Sequence, residues 1–251
     1  MHPTDASAIP DLAPPDEAPA LPRSPLQAWG EIVLCSGLPT QFVIGTLLSV
    51  FGVTPLRADG SLSGAFVFAL SLCDTVLVLT LIVWFIARRG ERPLAVFFGV
   101  RPPLREVAVG VLSVPFVVTA VSVLMLAIRS VAPALRNVPE NPLEGLLGSQ
   151  AGLLMFLFVV IVAGGLREEL QRAFLLHRFR TDLGSAGLGL VVTSAAFGLG
   201  HTLQGWDAAI ATAALGATWG ALYLIRGSAI APIVSHALFN AGELLRAFFA
   251  R

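Results

Sequence analysis

The stretch AGLLMFLFVVIVAGGLREELQRAFLLHRFR, residues 151–180, runs sixteen uncharged residues, Ala151 to Leu166, directly into Arg167, Glu168 and Glu169. About 20 apolar residues let one helix cross roughly 30 Å of hydrocarbon, so the run reads as a transmembrane helix. An unpaired carboxylate is costly in such surroundings. The two glutamates at its end therefore need partners, and the rest of the chain has to supply them.

Composition extends the membrane reading to the whole molecule. The 251 residues are 55% hydrophobic and 13% charged, with a mean hydropathy of +0.81, where soluble domains carry about 25% charged residues. Net charge is zero, which gives no electrostatic basis for binding nucleic acid. All sixteen basic residues are arginine, a bias in keeping with a GC-rich bacterial genome. Cys35 and Cys73 stand alone in apolar runs without a metal or redox pattern and read as packed thiols. The first 25 residues hold seven prolines and four acids but lack the basic start and apolar core of a signal peptide. Residues 1–27 are read as a disordered cytoplasmic tail, and 28–251 as a multi-pass membrane domain.

Apolar runs long enough to span recur near residues 30–54, 64–87, 106–128, 148–172, 184–204, 207–226 and 228–249. None shows the period-two alternation of a strand. The expected fold is an all-α integral membrane protein, a bundle of about seven transmembrane helices. Arg88, Arg89, Arg92, Arg101 and Arg105 crowd the loop after the second run, Arg178 and Arg180 follow the fourth, and Arg226 follows the sixth. The opposite loops hold Arg57, Arg129 and Arg136. The positive-inside rule then puts the N-terminus in the cytoplasm and the protein in the cell (inner) membrane. Asp74 lies inside the second run and either pairs within the bundle or supports a site.

The remaining intramembrane polar groups fall in three segments of the last hundred residues. In EELQR, Glu168 lies four residues and Glu169 three residues before Arg172, so one glutamate is neutralised by the arginine and one is left over. FGLGH ends in His201, and SHALFN puts His236 and Asn240 one helical turn apart. Glu168 and His201 lie about equally far from the turn near residue 184, roughly 25 Å along their helices, and so share a depth. His236 follows the start of its own helix by only about 12 Å, which requires the fourth–fifth hairpin to project beyond the bilayer or to tilt. A carboxylate, two imidazoles and an amide from three helices suit water activation and proton transfer, the chemistry of hydrolysis.

EELQR, FGLGH and SHALFN, in this order and spacing, resemble the three motifs of the CPBP family, the Abi-type CaaX-protease and bacteriocin-processing intramembrane proteases. The family patterns are EExxxR, FxxxH and HxxxN. GATWGALYLIRGSAIAPIVSHALFN resembles the family's last two core helices, and VFFGVRPPLRE its LGLRRP loop. The resemblance covers roughly residues 95–245, with the protease-like core at about 148–249. The first motif departs from the pattern, because only Leu170 and Gln171 separate Glu169 from Arg172. Aligning RAFLL with the family's RGFLL makes Glu168 the second glutamate and puts Arg167 in the first position. Aligning the paired acids makes Glu168 the first glutamate and Glu169 the second, with one residue missing.

The resemblance implies an intramembrane endopeptidase, of glutamic or metallo type, that cuts a membrane-associated protein or peptide within the lipid bilayer. It implies Glu168 or Glu169 as the base that activates water, with His201 and His236 polarising that water or binding a metal. Asn240 would stabilise the oxyanion and Arg172 would hold the second carboxylate. Glu168, His201, His236 and a water would complete a tetrahedral zinc site; the same groups would also serve as a metal-free relay, and the residues leave both open. Arg167 in the first-glutamate position supports an alternative, a non-proteolytic family member acting as membrane scaffold, chaperone or immunity factor. Buried ionisable residues also mark transporters, but clustering in three neighbouring helices argues against that reading.

Overall fold

The computed structural model describes residues 24–139 and 141–250. Most of the expected tail, residues 1–23, lies outside the described residues. Its last residues are helical: α1 (Pro25–Leu34) starts with proline in its first turn, where the missing N–H is no loss and φ is already helical. The first expected span is broken at Ser36 and Gly37. Gly37 takes φ +89°, a conformation open to glycine, and α2 (Leu38–Val50) follows. Next come α3 (Gly64–Arg88), the short α4 (Pro93–Phe98) and α5 (Pro103–Val131). Two short 3-10 turns, Pro133–Leu135 and Pro142–Leu147, carry the proline-rich connection. Then α6 (Gln150–Val159) passes through a π-helical stretch, Val160–Arg167, into α7 (Glu168–Thr181) without a break. The chain closes with α8 (Ala186–Leu199), α9 (Trp206–Arg226) and α10 (Ile230–Phe249). Among the described residues there is no β-sheet, only a bridge from Leu56 to Leu62.

Among the described residues, five segments are long and apolar enough to cross a membrane: Pro25–Val50, Gly64–Arg88, Pro103–Val131, Gln150–Thr181 and Trp206–Arg226. Seven runs were expected, and the two others differ for physical reasons. α8 is 14 residues long, about 21 Å of helix, because the chain turns out of it before His201. α10 has the length, 20 residues, but carries His236, Asn240, Glu243 and Arg246, which dilute its hydropathy. The 32-residue segment Gln150–Thr181 is about 48 Å long, well beyond ~30 Å of hydrocarbon. That surplus leaves length for either the projection or the tilt which the depth of His236 called for.

α7 sits at the centre of the packing, with ten of its fourteen residues buried. Leu170, Phe174 and Phe179 join Ile32 of α1, Ile82 of α3 and Tyr223 of α9 in one apolar core. Cys35 is buried there, whereas Cys73, expected to be packed, faces outward from α3. The far end of α7 is held by charge. Arg178, fully buried, donates to Glu31 Oε2 at 2.8 Å and Glu91 Oε2 at 2.9 Å. Arg89 donates to Glu31 Oε1 at 2.9 Å and Asp182 Oδ2 at 2.6 Å. His177 Nε2 lies 3.0 Å from Glu91 Oε2. Burial opposes ionisation of Glu91, but the His177 hydrogen bond and the Arg178 charge outweigh it and lower that carboxyl to about 2.

Candidate active site

Helical phase decides which polar residues of α7 look where. Positions four apart share a face, so Gly164, Glu168 and Arg172, with Gly165 and Glu169 beside them, look one way, and Arg167 and Gln171 another. α10 approaches the first face closely. A Cβ on Gly165 would lie 2.6 Å from that of Ala237, and one on Gly164 2.7 Å from Asn240 Nδ2, so only glycine permits this approach. It brings His236 Nδ1 to 2.8 Å from Glu169 Oε1. Arg172 donates to the same oxygen, and its guanidinium carbon stands 4.6 Å from the centre of the Phe197 ring.

The adjacent glutamates end in different surroundings. Glu169 is 1% exposed and committed to Arg172 and His236. Glu168 keeps 22% of its side chain exposed, with Oε2 3.8 Å from His236 Nε2. Arg172 thus pairs with the glutamate three residues away, and the geometry matches the register in which Glu168 is the first glutamate and Glu169 the second. A carboxylate only accepts hydrogen bonds, so Glu169 keeps a proton on His236 Nδ1 and leaves Nε2 facing Glu168.

His201 and Asn240 border this cluster without joining it. His201 Nδ1 lies 2.8 Å from the Phe197 carbonyl, another acceptor, so its Nε2 is also the free nitrogen. The Phe197 ring stands 4.8 Å from the His201 ring and 6.1 Å from the His236 ring, centre to centre. Among the described residues, His201 makes no hydrogen bond to either glutamate or to His236, and the Asn240 amide makes none at all. Nor do three His, Cys, Asp or Glu side chains gather as a metal-binding set among them.

Arg167, adjacent to Glu168, turns to the opposite face and forms an ion pair with Asp74 of α3. Asp74 therefore pairs within the bundle, and Gln41 also donates to it at 3.2 Å. Gln171, one turn on, donates to the Cys35 carbonyl at 2.6 Å, satisfying a backbone group left open by the break before α2. The sequence carried no local sign of this pairing, since Asp74 and Arg167 are 93 positions apart. It also gave none for Trp219, whose indole lies flat on the His236 ring, 3.7 Å between centres and 16° from parallel.

The fold and the cluster define a class: a helical membrane protein whose carboxylates, guanidinium and imidazole meet inside the bundle, in the pattern of hydrolytic centres. Residues 149–242 match the family model of the type II CAAX prenyl endopeptidase Rce1-like proteins, and over those residues the chain is similar to that family. No curated protein and no solved structure matches the chain.

Proposed function

We propose that the protein is an intramembrane endopeptidase whose base is Glu168, acting on a membrane-associated protein or peptide. The observation that carries this reading is the division between the two glutamates. Glu169 is consumed by Arg172 and His236, while Glu168 is partly exposed and faces His236 Nε2. In this reading Glu168 takes a proton from water as the water oxygen adds to the carbonyl carbon of the scissile bond. The Asn240 amide donates to the resulting oxyanion, while His236 Nε2 accepts a hydrogen bond from the attacking water and orients it beside Glu168. The proton then passes to the amide nitrogen, the C–N bond breaks, and a carboxylic acid and an amine leave, the acid giving its remaining proton to the amine. The N-terminus lies in the cytoplasm, on the side of the arginine-rich loop after α3. Arg167 is engaged with Asp74, which supports the register with Glu168 rather than Arg167 as the first position.

Terminal-peptide proteomics of membrane and secreted fractions tests this, comparing wild type with Glu168→Gln at matched protein levels. An uncut precursor accumulates in the variant. Purified protein is assayed in parallel with an internally quenched farnesylated CaaX-type peptide and its unprenylated counterpart. Identical peptide termini in both strains, with neither probe cut, would sink the reading.

A further inference from the structure

Trp219 is 1% exposed, and it is the only aromatic ring stacked face to face on a histidine among the described residues. A residue that only fills space in an apolar core has no reason to be tryptophan, because the indole N–H must then find a buried partner. Here it does: Nε1 donates to Ser235 Oγ at 3.1 Å, the side chain immediately before His236. The Ser235 hydroxyl is fully buried and hydrogen-bonds that of Ser113 on α5 at 2.9 Å. Ser113 in turn donates to the Gly110 carbonyl at 2.7 Å. The plane of the indole is therefore fixed from its edge by a chain of polar groups running back into α5.

That plane constrains the one freedom that His236 retains. The contact of Nδ1 with Glu169 holds a single point of the ring, about which the ring can still swing. A flat partner on one face stops the swing and keeps Nε2 aimed at Glu168. We propose that Trp219 is a positioning residue for His236, held in place by Ser235 and Ser113. α5 then supports the site although it lies outside the matched residues 149–242. The inference rests on the proposed role of His236 in peptide hydrolysis and deepens it.

Trp219→Phe keeps a ring on the imidazole, whereas Trp219→Met fills the volume without one. On the internally quenched farnesylated peptide, Met lowers kcat about 10- to 100-fold, the scale of a small misplacement at a reacting group. KM stays within about twofold, and Phe restores most of kcat. A second readout is independent of turnover: 15N-histidine spectra, with the His236 signals assigned by their loss in His236→Gln. Wild type and Trp219→Phe show one sharp pair of His236 ring-nitrogen signals, and Trp219→Met an Nε2 signal shifted and broadened by exchange among ring orientations. If Met does not fold, Ser235→Ala frees the indole edge and is expected to show the same modest loss of kcat at constant KM as Trp219→Phe, which lacks the same hydrogen bond. Unchanged His236 ring-nitrogen signals in Trp219→Met, or a kcat equal in the Met and Phe variants, overturns the proposal. So does wild-type kcat in Ser235→Ala where that variant stands in. If the wild type cuts no peptide, the hydrolytic reading fails by itself, and the spectra still decide the positioning.

Discussion

Glu168 and Glu169 are neighbours in the chain and opposites in environment, so the same kind of substitution should have different consequences at each. Glu168 is partly exposed and has no hydrogen bond among the described residues, with His236 Nε2 3.8 Å from its Oε2. Glu168→Gln keeps its shape, and we expect loss of peptide cleavage with thermal unfolding in detergent unchanged. Glu169→Ala removes one member of a buried pair and leaves Arg172 charged and unpartnered, a change that costs about 3–5 kcal/mol in comparable sites. Its melting temperature should fall clearly, and if both variants melt like wild type, the assignment of roles is wrong. The candidates themselves were legible, because carboxylates and imidazoles in apolar runs have few other reasons to be there. Which glutamate takes Arg172 was not, since spacings of three and four are both neighbours on a helix. The choice is made by α10, whose His236 claims Glu169.

Among the elements, the segment from α6 to α7 departs most from what its apolar run announced. The run was legible as one long helix, but the π-helical stretch Val160–Arg167 was not, because π turns follow from packing on both sides. Packing there is close: Gly164 and Gly165 admit α10 on one face, and Arg167 reaches Asp74 of α3 on the other. The Arg167–Asp74 pair ties the start of α7 to α3, so each charge depends on the other. Asp74→Ala strands the guanidinium and should destabilise the protein by about 3–5 kcal/mol. Replacing both residues with leucine removes the stranded charge and should recover most of that loss, as apolar replacements of buried pairs commonly do. Chemical or thermal unfolding of wild type, Asp74→Ala and the double variant measures this. A double variant as unstable as Asp74→Ala would show that the pair is held for something other than its charges.

At the scale of the molecule, the polar end of α7 joins parts of the chain that the apolar runs kept apart. The arginines around it were legible as markers of the cytoplasmic side, yet Arg178 is wholly buried and Arg89 mostly so. They hold α1, the loop after α3 and the α7–α8 turn together through Glu31, Glu91 and Asp182. Composition could not reveal this, because a topogenic arginine and a structural one are the same letter. The network gives stability a pH dependence with a defined sign. The carboxyl of Glu91 is lowered from 4.5 to about 2 in the folded protein, so its contribution is fully present above 4.5, where the unfolded chain is also ionised. As pH falls from 4.5 towards 2 the unfolded chain takes up a proton that the folded one refuses, and the contribution is lost progressively. Glu91→Gln should therefore melt lower than wild type at neutral pH, and the gap should narrow through that window. Removing Glu91 still leaves Arg178 with Glu31, so the variant is expected to fold. Thermal unfolding of both proteins in the same detergent, stepped from pH 7 to pH 2.5, is the measurement. A gap that stays constant across the window would mean that Glu91 is protonated alike in both states and that its charge adds nothing to the hold on the end of α7.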